Sequence, residues 1–312
     1  MTILRINWRN DIRMIEIKVL QAHQGDCIWV RCISEKTVNI VIDAGTSTFK
    51  KGFRNLVKEI NNKKERIDLL VFSHIDDDHI KGCIQYLQEK GKKIIDKVWI
   101  NGSGSRVYSD MQEHSVNNVS NLVTLIMEKN IPIETPILEG KEYVFCGGRI
   151  KVIGPTKNEM LKVATKIEHS NQVTEHAGYK YVGNIIDVQD KYQPDLSDSN
   201  KASIIMVVEF ENKKLLFTGD STSENIIKAV DKYYPGDEFE VVKLPHHGSP
   251  RNISRELIRR LSTNKFIIST NKALEKVVLF RFAEERKTTE LLCNYEWWAT
   301  GYFTEDDIKK YF

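Results

Sequence analysis

Apolar and polar residues alternate over 14–20, placing Ile15, Ile17 and Val19 on one face, the period of a half-buried strand. The turn Gln21-Ala22-His23-Gln24-Gly25-Asp26 leads into a second strand predicted over 27–33, and a short β-branched run predicts a third over 38–42. Residues 49–60 read as an amphipathic helix, 67–72 as a buried strand, 80–88 as a helix and 97–100 as a strand. Over 113–129, Val116, Val119, Leu122, Val123 and Ile126 fall on one side of a helix. Residues 143–153 suggest two short strands around Cys146-Gly147-Gly148. After a helix predicted over 158–168, the chain stays polar and irregular to residue 200, and 156–200 is therefore expected to be a substrate loop. Strands are predicted over 203–210, 213–217, 240–244 and 265–269, with helices over 225–233 and 253–261. Ser221-Thr222-Ser223-Glu224 fits a capping box for the first of those helices. The tail, 274–312, holds Trp297, Trp298, Tyr302, Phe303 and Phe312, which would form a satellite core or stack on bases.

Strand-rich and helical segments alternate in both halves, with no linker, repeat or low-complexity tract. This pattern predicts an α/β chain, one domain over 1–312 with helices outside two sheets. Its motif-bearing part would be 15–270 and its C-terminal extension 274–312. A hydrophobic content of 41% permits a substantial core. The net charge of +3 gives no strong electrostatic case for nucleic acid or membrane. No apolar run approaches the roughly 18 residues needed to cross a bilayer. Residues 1–14 lack the apolar stretch of a secretory signal. The five cysteines form no CxxC pair, and Cys27 and Cys32 fall on opposite faces of one strand, so all are expected to be reduced. The expected compartment is the cytoplasm, with no membrane partner.

Four predicted strands end in metal-binding side chains. The densest set is Ser73-His74-Ile75-Asp76-Asp77-Asp78-His79; the others are Asp43-Ala44-Gly45, Thr218-Gly219-Asp220 and Pro245-His246-His247-Gly248-Ser249. Each alone has an ordinary explanation. Asp43 or Asp220 could cap a turn or helix, the aspartate run could favour a helix N-terminus, and the histidine pair could be a polar turn. The same residue types at four separate strand ends point instead to a metal site, since ligands of layered α/β proteins bind at that edge.

These residues resemble the metallo-β-lactamase superfamily, whose signature is HxHxDH with outlying Asp and His ligands. Within it the chain is similar to the competence-type ComEC branch. The matching residues are Gln24-Gly25-Asp26, Asp43-Ala44-Gly45, His74 to His79 followed by Lys81-Gly82, Thr218-Gly219-Asp220, and Lys243-Leu244-Pro245-His246-His247-Gly248-Ser249. The resemblance implies a four-layered αββα sandwich. It implies two divalent ions, Mn²⁺ or Zn²⁺ with Mg²⁺ also allowed, about 3.5–4 Å apart, able to orient both oxygens of a displacement and generate hydroxide. His74 and Asp76 would hold one ion; Asp78, His79 and His246 the other; Asp220 would bridge them. Asp43 would orient a ligand histidine. His247 would face substrate or stand behind the ligands, and Lys243 would help bind an anion. Asp78, Asp43, His247 and Lys243 are the catalytic candidates. Gly248, Ser249 and a helix opened by Pro250 would add backbone N–H groups for phosphate.

The chain departs from the superfamily pattern at two positions. Asp76 replaces the middle histidine, which makes the site richer in oxygen and more tolerant of Mn²⁺ or Mg²⁺. Ser199-Asn200 occupies the place of a further histidine, so one ion would be weakly held, unless His169 or His176 swings in. The usual His-Pro pair beyond the last motif is also missing after Thr270. The implied function is a phosphodiesterase or nuclease on DNA or RNA, with Lys162, Lys166 and Lys180 contributing positive charge. A hydrolase of a small ester, lactone or cyclic nucleotide is the alternative. A weakly catalytic regulatory subunit is a third, by resemblance to components of bacterial defence systems that work beside an NTPase partner.

Overall fold

A computed structural model describes residues 1–7, 13–91, 93–101, 113–166, 183–299 and 301–312. His169, His176 and Lys180 lie outside the described residues, as do the side chains of Val116, Lys162 and Lys166.

Two seven-stranded sheets share one plan. The first runs in chain order through β1 (Thr2–Asn7), β2 (Met14–Val19), β3 (Ile28–Ile33), β4 (Val38–Ile42), β5 (Leu69–Phe72), β6 (Val98–Ile100) and β7 (Ile133–Glu134). It is antiparallel from β1 to β4 and parallel from β4 to β7. The second comprises β8 (Glu142–Phe145), β9 (Gly148–Gly154), β10 (Ile205–Phe210), β11 (Lys213–Phe217), β12 (Val241–Lys243), β13 (Lys265–Ile268) and β14 (Glu290–Cys293), also in chain order. It is antiparallel to β11 and parallel beyond.

The alternation of side chains along these strands builds three apolar layers. Ile15, Ile17 and Val19 of β2 meet Ile150, Val152 and Val208 of the other sheet in the central layer. The opposite face of the first sheet, with Trp29, Val41 and Leu70, is covered by α1 (Lys50–Asn62) through Phe53, Leu56 and Ile60, and by α4 (Glu113–Glu128) through Leu122 and Ile126. The outer face of the second sheet, with Val207, Leu216 and Val242, is covered by α7 (Ser223–Tyr233) and α8 (Arg255–Arg260) through Ile226, Val230 and Leu257. The result is the expected αββα sandwich. Cys27 and Cys32 sit in different layers, and all five cysteines are free.

Several elements differ from the sequence reading. The helix expected over 80–88 is broken into α2 (Asp77–Ile80), a 3₁₀ turn (Lys81–Cys83) and α3 (Ile84–Gln88). Gly82 explains the break. Its N–H donates to the Gly45 carbonyl at 2.9 Å, and an added Cβ would meet the Ala44 carbonyl oxygen at 1.8 Å. The 156–200 segment contains α5 (Lys157–Lys166), a 3₁₀ turn (Ile185–Asp187) and α6 (Asp198–Lys201). Pro250 does not open the helix after the histidine pair; α8 begins after Ser254, whose side chain accepts from Leu257 N–H. The tail adds α9 (Lys276–Glu285), β14 and α10 (Glu305–Tyr311), so it completes the second sheet. Its aromatic residues pack edge-on, Trp297 against Trp298 at 5.2 Å and against Tyr302 at 5.0 Å.

Candidate metal centre

The carboxyl ends of the parallel strands β4, β5, β11 and β12 deliver Asp43, His74 to His79, Asp220 and the histidine pair to one place. Asp43 has φ +60, a backbone region that Asp tolerates better than most residues. Its carboxylate accepts from Ser73 N–H at 2.7 Å and Ser73 Oγ at 2.5 Å, and faces His79 Nδ1 at 3.0 Å. The end of β4 thereby holds the turn after β5. His79 Nε2 then points at Asp220 Oδ2, 3.2 Å away, with Asp78 Oδ1 at 3.8 Å.

His247 repeats this arrangement from the other sheet. Its Nδ1 lies 3.1 Å from the Ser269 carbonyl oxygen and 3.3 Å from Asp26 Oδ1. Its Nε2 lies 3.3 Å from Asp78 Oδ2 and 3.5 Å from Asp220 Oδ2. Asp26, His79, Asp220 and His247 each present a ligand atom, and these atoms lie within 4.8 Å of one another. Asp26 also pairs with the buried Lys243 ammonium and touches His247 on its Nδ1 side. Asp78 stands on the inward Nε2 side. A Cβ on Gly25 would meet the Asp78 carbonyl oxygen at 2.0 Å, so the Asp26 turn and the Asp78 backbone are in direct contact.

The remaining candidates flank this group. His74 Nδ1 lies 3.3 Å from Ser203 Oγ, which also accepts from Asp220 N–H, and His74 Nε2 lies 3.3 Å from Asp76 Oδ2. Asp77 pairs with Lys81 on the surface. His246 is farther out. Its Nε2 is 3.9 Å from Asp220 Oδ2, and its Nδ1 faces Asn252 Oδ1 at 3.0 Å. Asn200 donates to Asp195 at 2.6 Å and lies 3.4 Å from His246 Nδ1. Lys243 is buried in the interior of the second sheet, so its ammonium faces Asp26 and the Gly219 carbonyl rather than solvent. Sequence reasoning gave no role to Asp26, Asp195, Ser203 or Asn252. Asp26 had a signal in the Gln24-Gly25-Asp26 turn; the other three sit in connections with no distinguishing spacing.

The centre gathers buried carboxylates and imidazoles whose charges depend on one another. Asp26 and Asp220 face the buried Lys243 ammonium, while Asp43 and Asp78 stand against His79 and His247. Burial opposes charge on His79, but Asp220, Asp43 and Asp78 outweigh it and hold its pKa well above the imidazole range. Burial likewise opposes charge on His247, and Asp220 and Asp26 override it in the same direction. Burial raises the Asp78 carboxyl, yet His79 and His247 bring it down to about 2. Burial also raises Asp220, and the three histidines His79, His247 and His246 drive it well below the carboxylate range. Asp43 goes the other way: burial dominates and its pKa is raised. Five buried atoms in this group, both Asp26 carboxylate oxygens, His74 Nε2, His247 Nε2 and Asp220 Oδ1, make no hydrogen bond. Imidazole nitrogens and carboxylate oxygens left without hydrogen bonds are the donor types a divalent ion takes.

Residues 20–98 match the metallo-beta-lactamase superfamily profile. A candidate metal-dependent hydrolase from Parabacteroides distasonis superposes with a TM-score of 0.50 at 9% identity, over 93% of this chain and 97% of that one. The chain has the metallo-β-lactamase fold. The metallo-beta-lactamase fold protein YhfI of Bacillus subtilis aligns at 7% identity, TM-score 0.44, over 86% and 88% of the two chains. CmlA, a diiron β-hydroxylase from Streptomyces venezuelae, aligns at 11% identity and TM-score 0.48, over 92% of this chain and 53% of its own. No curated protein matches the sequence. Among the described residues no helix is long and apolar enough to cross a membrane.

Proposed function

We propose that this metallo-β-lactamase-fold chain is a metal-dependent phosphodiester hydrolase, with DNA or RNA as the first substrates to test. The observation that carries the reading is the convergence of Asp78, His79, Asp220 and His247 Nε2, with both imidazoles held from behind by carboxylates. We assign these four to one ion, with His247 taking the place first given to His246. His74, Asp76 and Asp220 would hold a second ion more weakly, because Asn200 is committed to Asp195 and offers no imidazole. Bound there, divalent ions supply polarisation of a phosphoryl oxygen and acidification of water.

The protein's own residues supply the orientation. Asp43 fixes the His79 ring through Nδ1, and Asp26 and the Ser269 carbonyl do the same for His247, which leaves both Nε2 atoms facing inward. Lys243 acts through Asp26, offsetting its buried charge. Ser203 ties His74 to the Asp220 backbone, so ligands from the two sheets move together. His246, partly exposed beside Asp220, is left for substrate. Lys81 and Lys201 are paired with Asp77 and Asp198. The ComEC-like kinship, an NTPase partner and a cytoplasmic setting belong to this proposal as extensions of the resemblance.

The test is metal analysis of the purified chain, paired with assays on single- and double-stranded DNA, RNA and bis-p-nitrophenyl phosphate. Asp78→Ala and His79→Ala are each expected to lower turnover by at least about a hundredfold while the circular dichroism spectrum is kept. Retained activity in both would remove the site assignment. Because Asp76 makes the site richer in oxygen, Mn²⁺ should support more turnover than Zn²⁺; a Zn²⁺-only enzyme would contradict that. Cleavage of the small diester alone would move the substrate to a small ester or cyclic nucleotide.

A further inference from the structure

A second site lies in the C-terminal part of the chain. A cleft of about 530 Å³ opens between α9, β14, residues 297–303 and the end of α10. Its apolar surface comes from Leu279, Phe282, Leu291, Trp297, Trp298 and Phe303. None of its lining residues belongs to the metal centre.

Three features make it more than a packing gap. Its volume falls within the ~300–1,000 Å³ of small-molecule pockets. Two of its lining residues, Thr289 and Tyr311, bury hydroxyl oxygens that have no hydrogen-bond partner among the described residues. A buried hydroxyl left unpaired costs roughly 1–3 kcal/mol, and a ligand with acceptor atoms would relieve that. Among the side chains the charge is also one-sided: Arg286, Lys287 and Lys310 line the cleft, and no carboxylate side chain does. Arg286 is committed to the carbonyls of Ile258, Leu261 and Thr263, which leaves the Lys287 and Lys310 ammonium groups for an incoming anion.

We propose that this cleft binds a small planar aromatic anion, a carboxylate or sulfonate. Its ring would lie among the tryptophans and Phe303, with acceptor oxygens toward Thr289 and Tyr311 and the charge between Lys287 and Lys310. The walls are preformed. Trp297 packs edge-on against Trp298 and Tyr302, and Phe303 against Phe312 at 4.6 Å. The Lys276–Asp307 ion pair at 2.7 Å fastens α10 to α9, and Asp307 also accepts from Ile185 N–H at 2.6 Å.

The experiment is a fluorescence titration of the full chain with 8-anilinonaphthalene-1-sulfonate, run beside its uncharged analogue N-phenyl-1-naphthylamine. Saturable one-to-one binding of the sulfonate is expected. Lys287→Ala combined with Lys310→Ala should weaken the sulfonate about fivefold, the effect of two exposed ion pairs, and leave the neutral analogue unchanged. Ala283→Trp, which fills the cleft, should abolish both, with circular dichroism reporting that it folds; Asp78→Ala should change neither. Absence of saturable binding would overturn the site. So would binding undiminished in a folded Ala283→Trp protein. Equal weakening of the charged and neutral probes by the lysine pair would overturn the anion assignment, and that variant keeps the test decisive if Ala283→Trp does not fold.

Discussion

At the scale of the residue, the two adjacent histidines separate cleanly. Both adopt positive φ, +45 at His246 and +54 at His247, so the tight turn after Pro245 throws their side chains in different directions. His247 turns inward between Asp78 and Asp26, while His246 sets Nδ1 against the buried Asn252 and leaves its ring partly exposed. His247→Ala is therefore expected to lower metal affinity by about 10–100-fold or more, because on the proposed assignment it removes a ligand that a carboxylate already orients. His246→Ala should keep metal affinity within about threefold of the parent and act on turnover instead. Isothermal titration with Mn²⁺ checks both, and a larger loss of affinity in His246→Ala would reverse the assignment. No reading of Pro245-His246-His247-Gly248 could have made this choice. The identities were plain, but the direction of each ring depends on two backbone angles and on Asp26, more than two hundred residues away in sequence.

At the scale of the element, the segment after β5 matters most. The sequence shows good helical residues from Ile80 onward, yet the chain forms two short α-helices with a 3₁₀ turn between them. Tertiary contact overrides local preference there, because Gly82 lies against the backbone of Ala44 and Gly45. The same contact packs the loop bearing Asp43 against the turn bearing His79. Ala44 N–H also donates to the His79 carbonyl at 2.7 Å. Gly82→Ala should push these loops apart, destabilise the protein by about 1–3 kcal/mol, and weaken metal binding along with it. Thermal melts and metal titration of the variant test this; an unchanged melting temperature would show that the contact is loose. The C-terminal tail makes a similar point. Its aromatic residues were visible, but β14 was not, since Glu290–Cys293 becomes a strand only by pairing with β13. Asn294, just beyond, donates to the Leu20 carbonyl at 2.7 Å and accepts from Thr270 N–H at 3.0 Å. The tail thus braces both sheets beside the turn that carries Asp26.

At the scale of the whole molecule, the centre couples stability to pH and metal. In the metal-free protein His79 and His247 have pKa values raised above the ordinary 6.5. Their contribution to stability is full below pH 6.5 and is lost as pH rises through the raised values. Asp78, lowered from 3.8 to about 2, contributes above pH 3.8 and loses that contribution as pH falls. The metal-free protein should therefore be most stable between these limits, and its melting temperature should decline from about pH 6.5 toward pH 9. Mn²⁺ should remove that decline, because the ion replaces the protons on the imidazoles, and its added stabilisation should grow with pH. Melting curves with EDTA and with excess Mn²⁺ across this range decide it. A metal-free melting temperature that climbs between pH 6.5 and 9 would contradict the electrostatic picture.

Most strands and helices from β2 to β13 were written in the hydrophobic pattern, because burial on one face imposes a period of two on a strand and 3.6 on a helix; β1, β7 and the elements of the tail were not. The candidate centre was legible for a related reason. Imidazoles and carboxylates at four strand ends have few uses other than binding a cation, and parallel strands bring such ends to one edge. The tertiary structure alone decided which atoms meet. It set His247 rather than His246 beside Asp78, sank Lys243 behind Asp26, committed Asn200 to Asp195, and made the tail part of a sheet. Each of these depends on groups distant in sequence whose approach is set by the packing of two sheets, and no local spacing encodes that distance.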